Sequence, residues 1–166
     1  LLLALLLRPP LGVSAAARGV VDARGDSHSF PEDPGRILFA VSDGLDPAEI
    51  RKLLEQDPAL GTVVNEYGEG TLHVAAMSPK TSLAAVELLL SYRADPNLMT
   101  TGAHSRSPLM WWMISVSPDR DRVVELLISR HGADPGLLAE DGTTAVSQVA
   151  RVRGAEYLGA RMGEWP

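Results

Sequence analysis

Cysteine is absent from the 166-residue chain, which excludes disulfide frameworks, thiol catalysis, cysteine-held zinc and iron–sulfur clusters. Aromatic residues are scarce at 5%, too few for a large aromatic core. Positive charge is in deficit: 15 Lys and Arg against 21 Asp and Glu leave a net charge of −6. Docking on nucleic-acid phosphates calls for a clustered basic face, so no nucleic-acid partner is expected. The leucine run Leu1 to Leu7 covers 7 residues, far short of the roughly 20 that span a bilayer, so no membrane span is expected either. No G-x-S-x-G elbow, Walker phosphate loop or dinucleotide glycine fingerprint occurs. What remains is ordinary in composition, 45% hydrophobic and 22% charged, enough to build about one domain's core.

The first 21 residues form a segment of their own. The leucine run matches the hydrophobic region of a signal peptide, Ala15-Ala16-Ala17 offers small residues for cleavage, and Arg8-Pro9-Pro10 interrupts the stretch between them. With Arg8 and Arg18 as its only charges, the segment also suits an organellar transit sequence; its alternative is a mis-predicted start. Residues 22–34, rich in Asp, Ser, Pro and Gly without periodicity, read as a linker. Arg24-Gly25-Asp26 within it spells an adhesion tripeptide, a short match that arises readily by chance.

The remainder repeats itself. Val86-Glu87-Leu88-Leu89-Leu90-Ser91 returns as Val124-Glu125-Leu126-Leu127-Ile128-Ser129 after 38 residues, and Ala94-Asp95-Pro96 returns as Ala133-Asp134-Pro135 after 39. A weaker copy, Ile50-Arg51-Lys52-Leu53-Leu54, comes 36 residues before the first. Four units follow: 35–64, 65–97, 98–136 and 137–166. Each reads as two short helices and a loop. Asp46-Pro47-Ala48-Glu49 sets a capping Asp, a Pro at the first helical position and a Glu beyond it, and Ile50, Leu53 and Leu54 then mark one buried helical face. Ser117-Pro118-Asp119 is expected to start the corresponding helix of the third unit. The first helices carry small or branched residues: Leu72, Ala75 and Ala76, then Val146, Val149 and Ala150. Helix pairs this short cannot bury their apolar faces alone. Each large aliphatic side chain gains about 1.5–3 kcal/mol by burial, and here that gain comes from a neighbouring unit.

These units resemble ankyrin repeats. Tyr67-Gly68-Glu69-Gly70-Thr71-Leu72-His73-Val74-Ala75-Ala76 is similar to that family's G-x-T-P-L-H-x-A-A opening, with Gly70-Thr71 in place of Thr-Pro. Val86 to Leu90 and Arg93-Ala94-Asp95-Pro96-Asn97 resemble its closing; Ser107-Pro108-Leu109 and Asp141-Gly142-Thr143-Thr144 resemble further openings. The resemblance implies an all-α solenoid of about four stacked helix-turn-helix units with projecting hairpins. It further implies a concave face that binds proteins and no catalysis or cofactor of its own. His73 is implied to hydrogen-bond neighbouring backbone rather than to act as base or metal ligand. The third unit departs from the pattern: Met110-Trp111-Trp112-Met113 replaces His-x-Ala-Ala, so the indoles must swell the spacing between units or project onto the concave face. From Asp95 to Pro108 is 13 residues, longer than the family pattern, which puts an insertion at the tip Thr100 to Arg106; solenoid insertions gather on one face, often the binding one.

Four histidines (His28, His73, His104, His131) lie 45, 31 and 27 residues apart without helical ligand spacing, so no metal site is expected. No catalytic residue and no cofactor is expected. The candidate contacts for a protein partner are Tyr67, His104, Arg106, Trp111 and Trp112; Trp supplies a large rigid surface with one N–H donor. The expected object is a monomeric, non-enzymatic interaction module. Its alternative is a regulatory or targeting fragment of a larger multidomain enzyme. The repeat type points to the cytoplasm, and the leucine run to secretion or an organelle.

Overall fold

The computed structural model describes residues 35–153, except Leu45 and residues 102–104, with side chains described up to Arg151. Residues 1–34, read from the sequence as a targeting segment and a linker, and the end of the fourth unit lie outside the described residues, as does His104.

Capping chemistry sets the first helices. The Asp46 carboxylate accepts a hydrogen bond from Ala48 N–H at 2.8 Å, and Pro47 opens the helix as expected. Helix α1 spans Gly35–Ser42 and α2 spans Pro47–Gln56. A 3-10 turn, Pro58–Thr62, follows, with Asp57 capping it. Then come α3 (Thr71–Met77), α4 (Leu83–Ser91), α5 (Pro108–Ile114), α6 (Arg120–His131) and α7 (Ala145–Arg153). The fold is all-α: the described residues contain no strand, only a bridge pairing Val64 with Gly70.

Helix α6 starts later than Ser117-Pro118 suggested, at Arg120. The Ser117 hydroxyl caps only the local turn, accepting from Asp119 N–H, and the Asp119 carboxylate is drawn off to Leu83 N–H at 3.0 Å, the start of α4. One unit's cap is thus supplied by the next.

The helices pack in sequence. α1, α3, α5 and α7 contact one another in that order, and α2, α4 and α6 do the same; each odd helix up to α5 also rests on the even helix that follows it. The core runs continuously between the two rows, from Ile37 and Leu54 through Val86, Leu89 and Leu109 to Leu127 and Val149. Ser115 and Ser117 hydroxyls donate to the carbonyls of Ala76 and Thr81, tying the α5–α6 connection to the α3–α4 connection. Ala at 75 and 76 leaves α3 slim, and this is where Trp112 lodges. It is fully buried, and its indole N–H donates to the Leu72 carbonyl at 3.1 Å.

Connections from even to odd helices fold back on themselves as hairpin turns. In the first, Val64 to Gly70, Asn65 N–H donates to the Glu69 carbonyl and Glu69 N–H to the Asn65 side-chain Oδ1, around Gly68, whose φ of +72° suits a residue without Cβ. The second closes where Thr100 N–H donates to the Arg106 carbonyl and Arg106 N–H to the Thr100 hydroxyl, the limits read for the insertion. The third closes between Ala139 and Thr143. The first two are joined tip to tip: Thr101 N–H donates to the Tyr67 carbonyl at 2.8 Å.

Candidate functional site

α5 is flanked by α3 and α7 and backed by α6, so three of its sides are covered. Pro108, Leu109, Met110, Trp112 and Met113 are buried on those sides, and Trp111 and Ile114, three residues apart, share the fourth. Ile114 is 40% exposed and Trp111 half-buried. The same register recurs along the row. Ile37, Leu72 and Leu109 are equivalent buried anchors; the residues two and five places on are Phe39 and Ser42, Val74 and Met77, Trp111 and Ile114. Phe39 is 48% exposed and Met77 half-buried. Phe39, Met77, Trp111 and Ile114 therefore form an apolar strip in register across α1, α3 and α5, interrupted by Val74, which is buried. In α7 the equivalent positions are Gln148 and Arg151, where the strip turns polar.

The hairpins lie at the N-terminal ends of the odd helices. Tyr67, 53% exposed, stands on the first beside Thr101 of the second. Arg106 also lies here, but not as a free contact. Its guanidinium donates to Gln148 Oε1 at 2.8 Å and to Asp141 Oδ2 at 3.1 Å, and its side chain is 15% exposed. Arg106 thereby clamps the fourth unit to the second hairpin. Trp112 is likewise withdrawn from the surface by burial. Of the predicted contacts, Tyr67 is exposed, Trp111 and Arg106 are half-buried, Trp112 is buried, and His104 is outside the described residues.

His73 is completely buried and sits at the third position of α3. Its Nδ1 accepts from Gly70 N–H at 3.2 Å, one half of a capping box, and Nε2 lies 3.0 Å from the Arg106 carbonyl. A carbonyl only accepts, so the proton sits on Nε2 and both ring nitrogens are committed. Burial pushes the ring's pKa down to about 4, against weaker upward pulls from the Arg106 carbonyl and Asp95. Trp111 meets this ring edge-on, centroids 5.5 Å apart and planes at 83°. The Trp111 indole N–H is buried with no acceptor among the described residues.

A niche beside His73, lined by Gly61, Thr71, Asp95 and Leu98, has room of about 10 Å³, one water's worth and far below the size of a substrate pocket. Among the described residues no three His, Asp or Glu side chains gather as a metal site requires, and no helix is long and apolar enough to cross a membrane. At the far hairpin, hydroxyl and amide bonds from Thr143 hold the Asp141 carboxyl below the usual carboxylate range, with the charges of Arg106 and Arg151 assisting.

Sequence reasoning missed Phe39, Met77 and Ile114. The signal was present in the repeat register: once Trp111 is placed on an open side, the equivalent positions of α1 and α3 follow. No protein-family model matches the chain, and no curated protein matches it.

Proposed function

We propose that this chain is a non-catalytic protein-interaction module of the ankyrin-repeat type. Its partner protein binds across the open side of α1, α3 and α5 and the adjoining hairpin tips. The supporting observation is the apolar strip of Phe39, Met77, Trp111 and Ile114. Large apolar side chains left on one side of three successive helices mark a surface awaiting cover, and aromatic anchors are the residues that dominate interface energetics. Reading the two helix rows and projecting hairpins as stacked repeats accounts for that placement: the strip lines the concave face, with Tyr67 at its rim.

The test compares partner capture by Phe39→Ser and Ile114→Ser with capture by Glu125→Ser on the exposed side of α6, each variant checked for helicity by circular dichroism. Loss of a central anchor is expected to weaken capture about tenfold or more, the effect of roughly 1.4 kcal/mol. Glu125→Ser leaves capture unchanged. Equal recovery by all three folded variants rejects this face.

A further inference from the structure

Arg106 of the third unit is bonded into the units on both sides of it. Its carbonyl accepts two hydrogen bonds, from Thr100 N–H at 3.0 Å within the second hairpin and from His73 Nε2–H of the second unit at 3.0 Å. Its N–H donates to the Thr100 hydroxyl at 2.9 Å. Both lone pairs of the carbonyl are used, so the backbone here is fixed from two directions. The guanidinium then reaches forward, to Gln148 Oε1 of α7 at 2.8 Å and to Asp141 Oδ2 of the third hairpin at 3.1 Å. Among the described residues this arrangement occurs once. In the repeat register the counterparts of His73 are Leu38, Met110 and Ser147, and those of Arg106 are Glu69 and Thr143. Glu69 and Thr143 bond within their own hairpins, to Asn65 and Asp141.

The fourth unit depends on that forward reach. α7 packs on α5, and the apolar side chains it buries are small, Ala145 and Val149. Between them sits Gln148, 3% exposed, where the earlier odd helices carry Phe39, Val74 and Trp111. A buried amide needs a partner, and the guanidinium supplies one to its oxygen. The geometry points to a latch: His73 of the second unit sets how readily the fourth unit opens from α5, acting through Arg106, although a whole unit lies between them. Opening frees α7 and the third hairpin as a local unit and parts Gln148 and Asp141 from the guanidinium. A guanidinium on a backbone already held by His73 loses less freedom in closing on them than one on a loose hairpin. In an ordinary solenoid each repeat responds to its immediate neighbours; here a bond between the second and third units reaches the fourth. Coupling is reciprocal, so the closed fourth unit also steadies the His73 ring.

Amide hydrogen exchange on the full chain tests the latch with His73→Asn and Arg106→Met, singly and together. Asn places an acceptor near the Nδ1 position, for Gly70 N–H, and carries no group as far as Nε2. Met keeps the backbone bonds of residue 106 and removes the guanidinium. The reporters are Ala139 N–H and Gln148 N–H, bonded within the fourth unit to the carbonyls of Thr143 and Thr144. His73→Asn is expected to speed both by about threefold or more, as for groups in one network, and to have no further effect on them once Arg106→Met is present. An equal acceleration in both backgrounds assigns the effect to general loosening of the second unit and overturns the latch, as does no acceleration in either. Should His73→Asn fail to fold, Arg106→Met alone decides the matter. Gly70 N–H, which donates to the His73 ring, then exchanges about threefold faster or more if the fourth unit steadies that ring. Exchange at the wild-type rate overturns the latch.

Discussion

Lowering the pH is the cleanest perturbation of the second unit, because it acts on one buried ring. His73 has an ordinary pKa of 6.5 when unfolded and about 4 in the fold, where burial disfavours the charge. The unfolded chain therefore binds the proton more readily between those values, so stability is complete above pH 6.5 and falls as pH drops toward 4. At 1.36 kcal/mol per unit, the loss reaches about 2 kcal/mol at pH 5 and roughly 3 kcal/mol near pH 4. Protonation at Nδ1 also destroys the bond from Gly70 N–H, which needs that lone pair. Urea unfolding at pH 7 and pH 5, followed by tryptophan fluorescence, measures the effect; a typical slope of 1–3 kcal/mol/M makes the midpoint drop by about 1 M. Working no lower than pH 5 keeps the comparison above the ordinary carboxylate range. His73→Gln retains an acceptor for the Gly70 N–H, as a capping-box glutamine does, and should flatten the pH dependence while costing some stability at pH 7. A wild-type midpoint unchanged between the two pH values, or an equal drop in His73→Gln, refutes the reasoning.

The two indoles should respond oppositely to Phe. Trp112→Phe loses the indole bond to the Leu72 carbonyl and leaves a void, costing about 2–3 kcal/mol, whereas Trp111→Phe discards an N–H with no acceptor among the described residues and changes stability by less than about 1 kcal/mol, both measured by urea unfolding. Arg93 occupies the left-handed region at φ 66° after α4, with Ala94 N–H donating to Leu89 and Arg93 N–H to Leu90, the bonds of a Schellman turn. Arg93→Gly is therefore expected to raise stability by about 0.5–1 kcal/mol in thermal unfolding, as strain relief outweighs added chain entropy. Arg106→Ala should cost roughly 1–2 kcal/mol and speed amide exchange selectively in the third hairpin and α7, since Gln148 and Asp141 lose their clamp.

Repetition made the helices legible. Asp46 and Pro47 announced α2 because a helix start uses only local groups: a carboxylate, a free N–H and a residue without one. The limits of the second hairpin, Thr100 and Arg106, followed from comparing loop lengths between units. The fate of the two tryptophans did not, because adjacent helical residues point about 100° apart and one unit's sequence does not say which neighbour has room. Trp112 fell toward α3, where Ala75 and Ala76 leave space, and Trp111 toward the open side. The bonds of Arg106 escaped sequence reading for a related reason. Its partners Asp141 and Gln148 are 35 and 42 residues away, and a cation at a loop tip looks free until the next unit is laid against it. The start of α6 slipped for the same cause, since Asp119 serves a backbone N–H 36 residues earlier.

The chain's lack of cysteine permits the most direct test of the proposed face. A photo-cross-linker attached to a single introduced cysteine, at Phe39 or Ile114 on the odd helices and at Glu87 or Glu125 on the even ones, reports which side a partner covers in the cells that make the protein. The account predicts a discrete protein adduct from Phe39→Cys and Ile114→Cys and none from Glu87→Cys or Glu125→Cys. Adducts from the even-helix positions alone, or equally from all four, contradict it.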